Sequence, residues 1–194
     1  YEIVFGDLSS DVCSSDLIVN DLLVISNLED RKALLDISEV DISKLFKDIY
    51  QSFEKRLIEK NLEFVINTNP DIPIIKADAY KIEQLFINLV DNAIKYTQKG
   101  RITININKEQ NYIRVEVVDT GIGILEKDIN RIFERFYTVD KSRSRQIDGT
   151  GLGLSIVKHI VNLHKGKCWA ESVMSVGSKF IVLLPIEYNA KEIE

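Results

Sequence analysis

An α/β two-layer sandwich is the fold this sequence predicts, with one mixed, mostly antiparallel sheet covered on one face by three helices and a helical segment ahead of it. Three observations lead there. Apolar residues recur at helical spacing in several long segments, strict alternation marks the strands, and the two kinds of segment interleave along the chain. With 194 residues, 45% hydrophobic and 28% charged content, the chain can bury one good core and a small appendage.

The elements follow in order. Within LIVNDLLVISNLED, Ile18, Leu22, Leu23, Ile25 and Leu28 form an apolar face for a partner helix, which ends near Leu35. In ISEVDISKLFKDIYQSFEKRLIEKN, Asp41 or Ser43 is the expected cap, and Leu45, Ile49, Phe53 and Leu57 return every fourth residue as on one helix face. LEFVINT alternates as a strand, Asn69-Pro70 and Ile72-Pro73 break the chain, and Ile74-Ile75 is a short strand. Asp78 then caps the helix KIEQLFINLVDNAIKYT, which Gly100 ends after a short extension. RITININKE and YIRVEVVDT alternate on either side of Gln110-Asn111 and read as a hairpin. A helix after Gly153 and the strands KCWAESV and KFIVLLP complete the domain.

Composition excludes several classes of function. A net charge of −5 with scattered Lys and Arg offers no basic field for nucleic acid. No apolar run approaches the roughly 18 residues of a membrane span, so no membrane contact is expected of this chain. Cys13 and Cys168 lie far apart and outside any metal-ligand spacing, which suits a reduced compartment. His159 and His164 share the helix SIVKHIVNLHKG, where a structural or surface role is expected of both.

The chemistry concentrates on one helix and three glycine-bearing strings. At about 100° per residue, Gln84, Asn88, Asn92 and Lys95 share one narrow arc opposite Ile82, Phe86, Leu89 and Ala93. Carboxamide oxygens at Asn88 and Asn92 suit a magnesium ion that keeps several waters, and Lys95 adds positive charge for phosphate. Behind this helix come DTGIGI, GTGLGL and SVGS, an order that reads as a nucleotide site. Asp119 closes a strand just before Gly121 and Gly123, where a carboxylate can accept an adenine amine and the glycines let backbone approach the base. Gly149, Thr150, Gly151, Leu152 and Gly153 lead into a helix whose free amides can meet phosphate. This is neither a Walker loop, since GxxxxGK[ST] is absent, nor a dinucleotide fingerprint, which fails at Leu154. Tyr137 to Asp148, rich in charge and Ser, reads as a lid, with Arg143 and Arg145 as candidates for the γ-phosphate. Tyr96 and Ile124 are candidates to wall the adenine pocket and, as apolar or aromatic residues, equally candidates for the core, with Phe133 and Phe136 expected to anchor the lid to the core.

These strings resemble the catalytic ATP-binding domain of sensor histidine kinases, in the wider family shared with type II topoisomerases, Hsp90 and MutL. LFINLVDNAIKYT is similar to the asparagine box and DTGIGI to the first glycine box. RIFERFYTVDKSRS is similar to the phenylalanine box and lid start, and GTGLGLSIVKHIVNLHKG to the second glycine box with its helix. GSKFIVLLP matches the last strand, so the resemblance runs from about Val40 to Glu187. It implies the Bergerat fold, ATP and Mg2+ as cofactors, adenine recognition by Asp119, and a Ser178 hydroxyl, where the family usually has Thr, bonding the adenine side through water. Lys165 departs from a glycine common in its turn, and Trp169 stands where a smaller residue is expected.

The resemblance also implies domain organisation and partners. Residues 39–190 match the catalytic ATP-binding domain, and 18–38 the second helix of a dimerisation and phosphotransfer hairpin. Asp11 to Leu17, DVCSSDL, is the translation of the end of a common short-read sequencing adapter, so residues 1–17 are expected to be non-native. The hairpin's first helix would carry the acceptor histidine, and this chain has none in that context. The implied parent is a membrane-anchored homodimer with this part in the cytoplasm, which passes the ATP γ-phosphoryl to histidine and then to a response-regulator aspartate. Two alternatives are an anti-sigma-type serine kinase and a module that binds ATP without transfer.

Overall fold

The computed structural model describes residues 35–139 and 150–188. The adapter-like stretch, residues 18–34 of the helical segment expected over 18–38, Arg143, Arg145 and Gly149 lie outside them, and the end of that segment is not helical, since Ile37 and Ser38 belong to a strand. Seven strands and four helices occur among the described residues: β1 Ile37–Val40, α1 Ile42–Glu59, β2 Leu62–Thr68, β3 Ile75–Asp78, α2 Ala79–Tyr96, β4 Gly100–Glu109, β5 Tyr112–Asp119, α3 Glu126–Ile129, α4 Gly153–Leu163, β6 Lys167–Val173 and β7 Gly177–Pro185.

The main sheet has the order β2-β4-β5-β7-β6. β2 and β4 are parallel and every other pair is antiparallel, because α2 lies between β2 and β4 in sequence and a parallel pair needs such a crossover. Alternation then assigns the faces. Ile102, Ile104, Ile106, Ile113, Val115, Val117, Phe180, Val182 and Leu184 enter one core with the apolar sides of α1, α2 and α4. On the opposite face Arg114 lies over the Trp169 ring, 5.5 Å from its centroid, and Ile181 pairs in register with Trp169 and is shielded completely from solvent. Trp169 thus projects away from the helix layer, which explains why its size is tolerated.

Two details differ from the sequence reading. The segment ISEV, to which no strand was assigned, forms β1, and it pairs with β3 in a separate two-stranded ribbon. The short strand read at Ile74-Ile75 is β3, shifted to Ile75–Asp78, and it does not join the main sheet. A four-residue strand carries too few alternations to reveal its partner. On α1 the cap is Asp41, which accepts from Lys44 N at 3.0 Å. The deepest line of that helix is Ile42, Phe46, Ile49, Phe53 and Leu57, with Leu45 rotated to the edge. Phe46 meets Phe86 of α2 at 4.8 Å between ring centroids, which locks the two helices together.

Asp78 caps α2 as expected, accepting from Lys81 N at 3.1 Å. Its other oxygen takes the Asp36 N–H and the Lys81 ammonium, so one carboxylate joins the start of α2 to the chain entering β1. Burial would raise the Asp78 pKa, but the Lys81 and Asp36 donors together bring it below its usual range. His164, buried at the end of α4, completes this junction. Its Nε2 accepts from Asp78 N at 3.0 Å while Nδ1 bonds the Ile160 carbonyl at 2.8 Å, which fixes a neutral imidazole protonated on Nδ1. Cys168 is also structural in character, its thiol pushed up to about 11 by burial.

Burial holds the His164 pKa below its usual value against the opposing pull of the Ile160 carbonyl and Asp78. The unfolded chain therefore binds a proton at about pH 6.5 that the folded chain excludes until lower pH. Stability is expected to be level above about pH 6.5 and to fall as pH drops below it. Thermal melts between pH 7.5 and 5.5 should show a decline that is flattened in His164→Gln; parallel profiles would show that another group governs this range.

Candidate functional site

The site begins at the ends of β5 and β7. Asp119, 5% exposed, directs Oδ1 to the backbone N–H of Gly121 at 2.8 Å and of Ser178 at 3.3 Å. Burial raises its pKa, and these two donors pull it part of the way back. Oδ2 has no partner among the described residues. The carboxylate is thus oriented by backbone and offers one oxygen as an acceptor.

Glycine is required around it for steric reasons. A Cβ on Gly121 would stand 2.8 Å from Asp119 Oδ1, and one on Gly177, whose φ is +140°, would collide with the Asp119 carbonyl oxygen. The DTGIGI turn is further held by Ser172, which sequence reasoning missed. Its Oγ accepts from Ile124 N at 2.8 Å, donates to the Gly177 carbonyl at 2.8 Å and lies 3.0 Å from Ser178 Oγ. Since the Ser172 proton is committed to Gly177, Ser178 donates to Ser172 and keeps its lone pairs for a water or ligand donor. A serine in an alternating strand carries no signal of this role, because the Ile124 N–H that it joins to the neighbouring strand comes from a turn 48 residues earlier.

The same turn closes the helix bearing the polar arc. α2 ends with four carbonyls that lack helical partners. Thr97 N takes Ala93 O at 3.1 Å, Ile122 N takes Tyr96 O at 3.3 Å, and Lys60 Nζ reaches Ile94 O at 2.6 Å and Lys95 O at 3.4 Å. Tyr96 is 40% exposed, and Ile124 packs partly buried against the core near the same turn. Both lie beside Asp119 through these backbone links.

At the other end of the site, Asn88 faces the start of α4: a Cβ on Gly153 would sit 3.2 Å from Asn88 Oδ1. The α4 amino terminus has no side-chain cap, so its first amides point free toward that space. Thr150 Oγ1 accepts from Leu152 N at 3.3 Å, and Leu152 is buried, so its contribution to the loop is its backbone. Gly151, at φ +72°, approaches Phe136, whose N–H donates to the Gly151 carbonyl at 3.0 Å. Asn88 and Asn92 are half-buried and have no side-chain hydrogen bond among the described residues.

Magnesium fits this donor set. No cluster of three His, Cys, Asp or Glu suited to a metal occurs among the described residues, while the unengaged carboxamide of Asn88 faces the uncapped helix, and Asn92 lies one turn further along α2. Such sparse protein ligation suits a hard cation that takes its remaining ligands from phosphate and water.

Two expectations change. Phe133 packs against the core, but Phe136 is 63% exposed with φ +61° and anchors through its backbone instead. The side-chain anchor is Tyr137, whose hydroxyl donates to the buried Asp128 carboxylate at 2.7 Å while Arg131 lies over its ring at 4.4 Å. Lys95 is not a free cation: its ammonium pairs with Asp91 at 2.7 Å. The structure thus brings Asp119, Gly121, Gly123, Ile124 and Ser178 together at one end and Asn88 with Thr150, Gly151, Leu152 and Gly153 at the other.

Residues 77–188, more than half of the chain, match the family of histidine kinase-, DNA gyrase B- and HSP90-like ATPases. Sensor histidine kinase WalK of Bacillus subtilis is 36% identical over 178 residues, 90% of this chain and 29% of that protein. The chain therefore spans less than a third of that relative. Among solved structures, full-length ShkA in complex with AMPPNP superposes with a TM-score of 0.81 at 28% identity, over 95% of this chain and 38% of ShkA. Histidine kinase ThkA in complex with the response regulator protein TrrA gives 0.68 at 28% identity, over 94% of this chain and 53% of ThkA. Among the described residues no helix is long and apolar enough to cross a membrane.

Removing the Ser172 hydroxyl leaves the Ile124 N–H and the Gly177 carbonyl without their partner. Ser172→Ala is expected to lower stability by about 1–3 kcal/mol and to weaken adenosine binding with it. Denaturant unfolding with and without adenosine checks both; an unchanged midpoint would mean that water replaces the hydroxyl at no cost.

Proposed function

The chain belongs to the family of histidine kinase-, DNA gyrase B- and HSP90-like ATPases, and we propose that residues 39–190 form the ATP-binding catalytic domain of a two-component sensor histidine kinase. The observation that carries this reading is Asp119: a buried carboxylate with one oxygen held by two backbone donors and the other without a partner among the described residues, in a strand next to the helix that places Asn88 against the uncapped α4. A buried acceptor without a cation calls for a neutral donor, and the adenine amine supplies one. Gly121 and Gly123 admit the base, with Tyr96 and Ile124 as its walls.

The triphosphate then runs toward α4. Amides from Gly149 to Gly153 receive it, Lys95 adds charge, and Asn88 and Asn92 would hold Mg2+, which would supply further positive charge against the phosphates. Lid residues Arg143 and Arg145 approach the γ-phosphate. The receiving group is a histidine on the hairpin to which residues 18–38 belong, in a homodimeric parent whose cognate response regulator takes the phosphoryl onto aspartate. The ThkA–TrrA complex supports that partner class.

Asp119→Asn tests the adenine contact with a definite sign. The amide oxygen must stay on the Gly121 and Ser178 donors, so the new NH2 faces the adenine amine, donor against donor. Calorimetry with Mg2+ should show ATP and adenosine both weakened about a hundredfold; undiminished affinity would remove Asp119 from the site.

The chemistry has its own test. His164 is 2% exposed with both ring nitrogens engaged, and the Nε2 of His159 is shielded from solvent, so the chain incubated with γ-labelled ATP should remain unlabelled on both histidines. Addition of a hairpin carrying an acceptor histidine should yield acid-labile phosphate on that histidine. Label on serine would support the anti-sigma-type alternative, and no label on any acceptor tried would support a binding module.

A further inference from the structure

One carboxylate stands between two cations on the polar side of α2. Asp91 Oδ2 pairs with Lys95 Nζ at 2.7 Å, and Asp91 Oδ1 pairs with Arg56 of α1, also at 2.7 Å. Lys60 lies close enough for its ammonium to sense both Arg56 and Asp91. Its own hydrogen bonds go to the helix-end carbonyls of Ile94 and Lys95.

The geometry places the two possible partners of Lys95 on different sides. Counting about 100° per residue, Asp91 lies on one flank of Lys95, toward α1, and Asn88 and Asn92 lie on the other. Asn88 is the residue beside Gly153 and the α4 amino terminus. An ammonium held on Asp91 is turned toward α1, so the phosphate end of the site must draw it across. Arg56 affects that choice because its guanidinium shares the Asp91 charge and reduces what remains to attract Lys95.

We propose that Asp91 is a positioning residue that competes with the nucleotide phosphates for Lys95, and that Arg56 of α1 sets the strength of that competition. This rests on the reading of Lys95 as a phosphate contact. The consequence is a specificity term confined to phosphate: ATP affinity depends on the Arg56–Asp91 contact while recognition of the base does not. Because α1 follows β1 directly, small displacements of α1 would be transmitted to nucleotide affinity through one ion pair.

The test is a double-mutant cycle on the full chain, titrated calorimetrically with Mg-ATP and with adenosine. Asp91→Asn releases Lys95 and should tighten ATP about two- to fivefold, the scale of a partly exposed ion pair. Arg56→Gln leaves more of the Asp91 charge to Lys95 and should weaken ATP by a similar factor. In the Asp91→Asn background Arg56→Gln should have little effect, and adenosine affinity should stay within about twofold throughout. Weaker ATP binding by Asp91→Asn would overturn the proposal, as would an Arg56→Gln effect equal in both backgrounds, which marks a diffuse charge effect, or a parallel loss of adenosine. Failure of the unsubstituted chain to bind ATP would instead overturn the underlying functional reading.

Discussion

A carboxylate removed from water with no cation beside it is the constraint around which the Asp119 end of the site is built. Asp119 sits at the end of β5 with only backbone N–H groups on its engaged oxygen, and a buried charge left so lightly compensated is costly. Supplying those two donors requires the chain after β5 to double back at Gly121 and the chain before β7 to approach at Gly177. Neither approach leaves room for a Cβ. Ser172 then holds the two turns to each other. The recognition group and the local backbone are thus one construction, in which the glycines answer to the carboxylate.

The second organising element is α2, which serves two solvents at once. Ile82, Leu85, Phe86, Leu89, Val90, Ala93 and Ile94 are buried and join the sheet and neighbouring helices into one core. Its other side carries Asn88, which meets the start of α4, and Asp91 with Lys95, which face Arg56 of α1. Fixing such a helix matters for positioning, since its polar groups are only as well placed as its axis. The Asp78 cap at one end and the four satisfied carbonyls at the other remove the usual fraying of both termini. His164 ties the capped end to α4, so α2 and α4 share a buried polar junction as well as apolar contacts.

Much of this was legible in the residues. The polar arc of α2, the alternation of β4 and β5, the cap at Asp78 and the glycine strings are local patterns, and local patterns survive folding when burial reinforces them. The two-stranded ribbon was not legible, because β1 is four residues long and its partner lies beyond α1 and β2. Nor was the Tyr137–Asp128 tether, where two polar residues in a loop-rich segment reveal nothing of their mutual contact. Phe136 misled for the converse reason: an aromatic side chain suggests burial, yet its backbone does the anchoring.

By itself the sequence determined the fold class and the kind of ligand, since periodicity, turn chemistry and motif order are properties of short segments. Tertiary structure decided what each charged group is doing. Lys95 is a free cation on a helical wheel and a partner of Asp91 in the folded chain, and Asp91 is itself shared with an arginine 35 residues earlier. Ser172 and His164 likewise take their roles from backbone groups brought by distant segments. Electrostatic and hydrogen-bond roles depend on distance in space over a few ångströms, and only the packing of α1, α2, α4 and the sheet sets those distances.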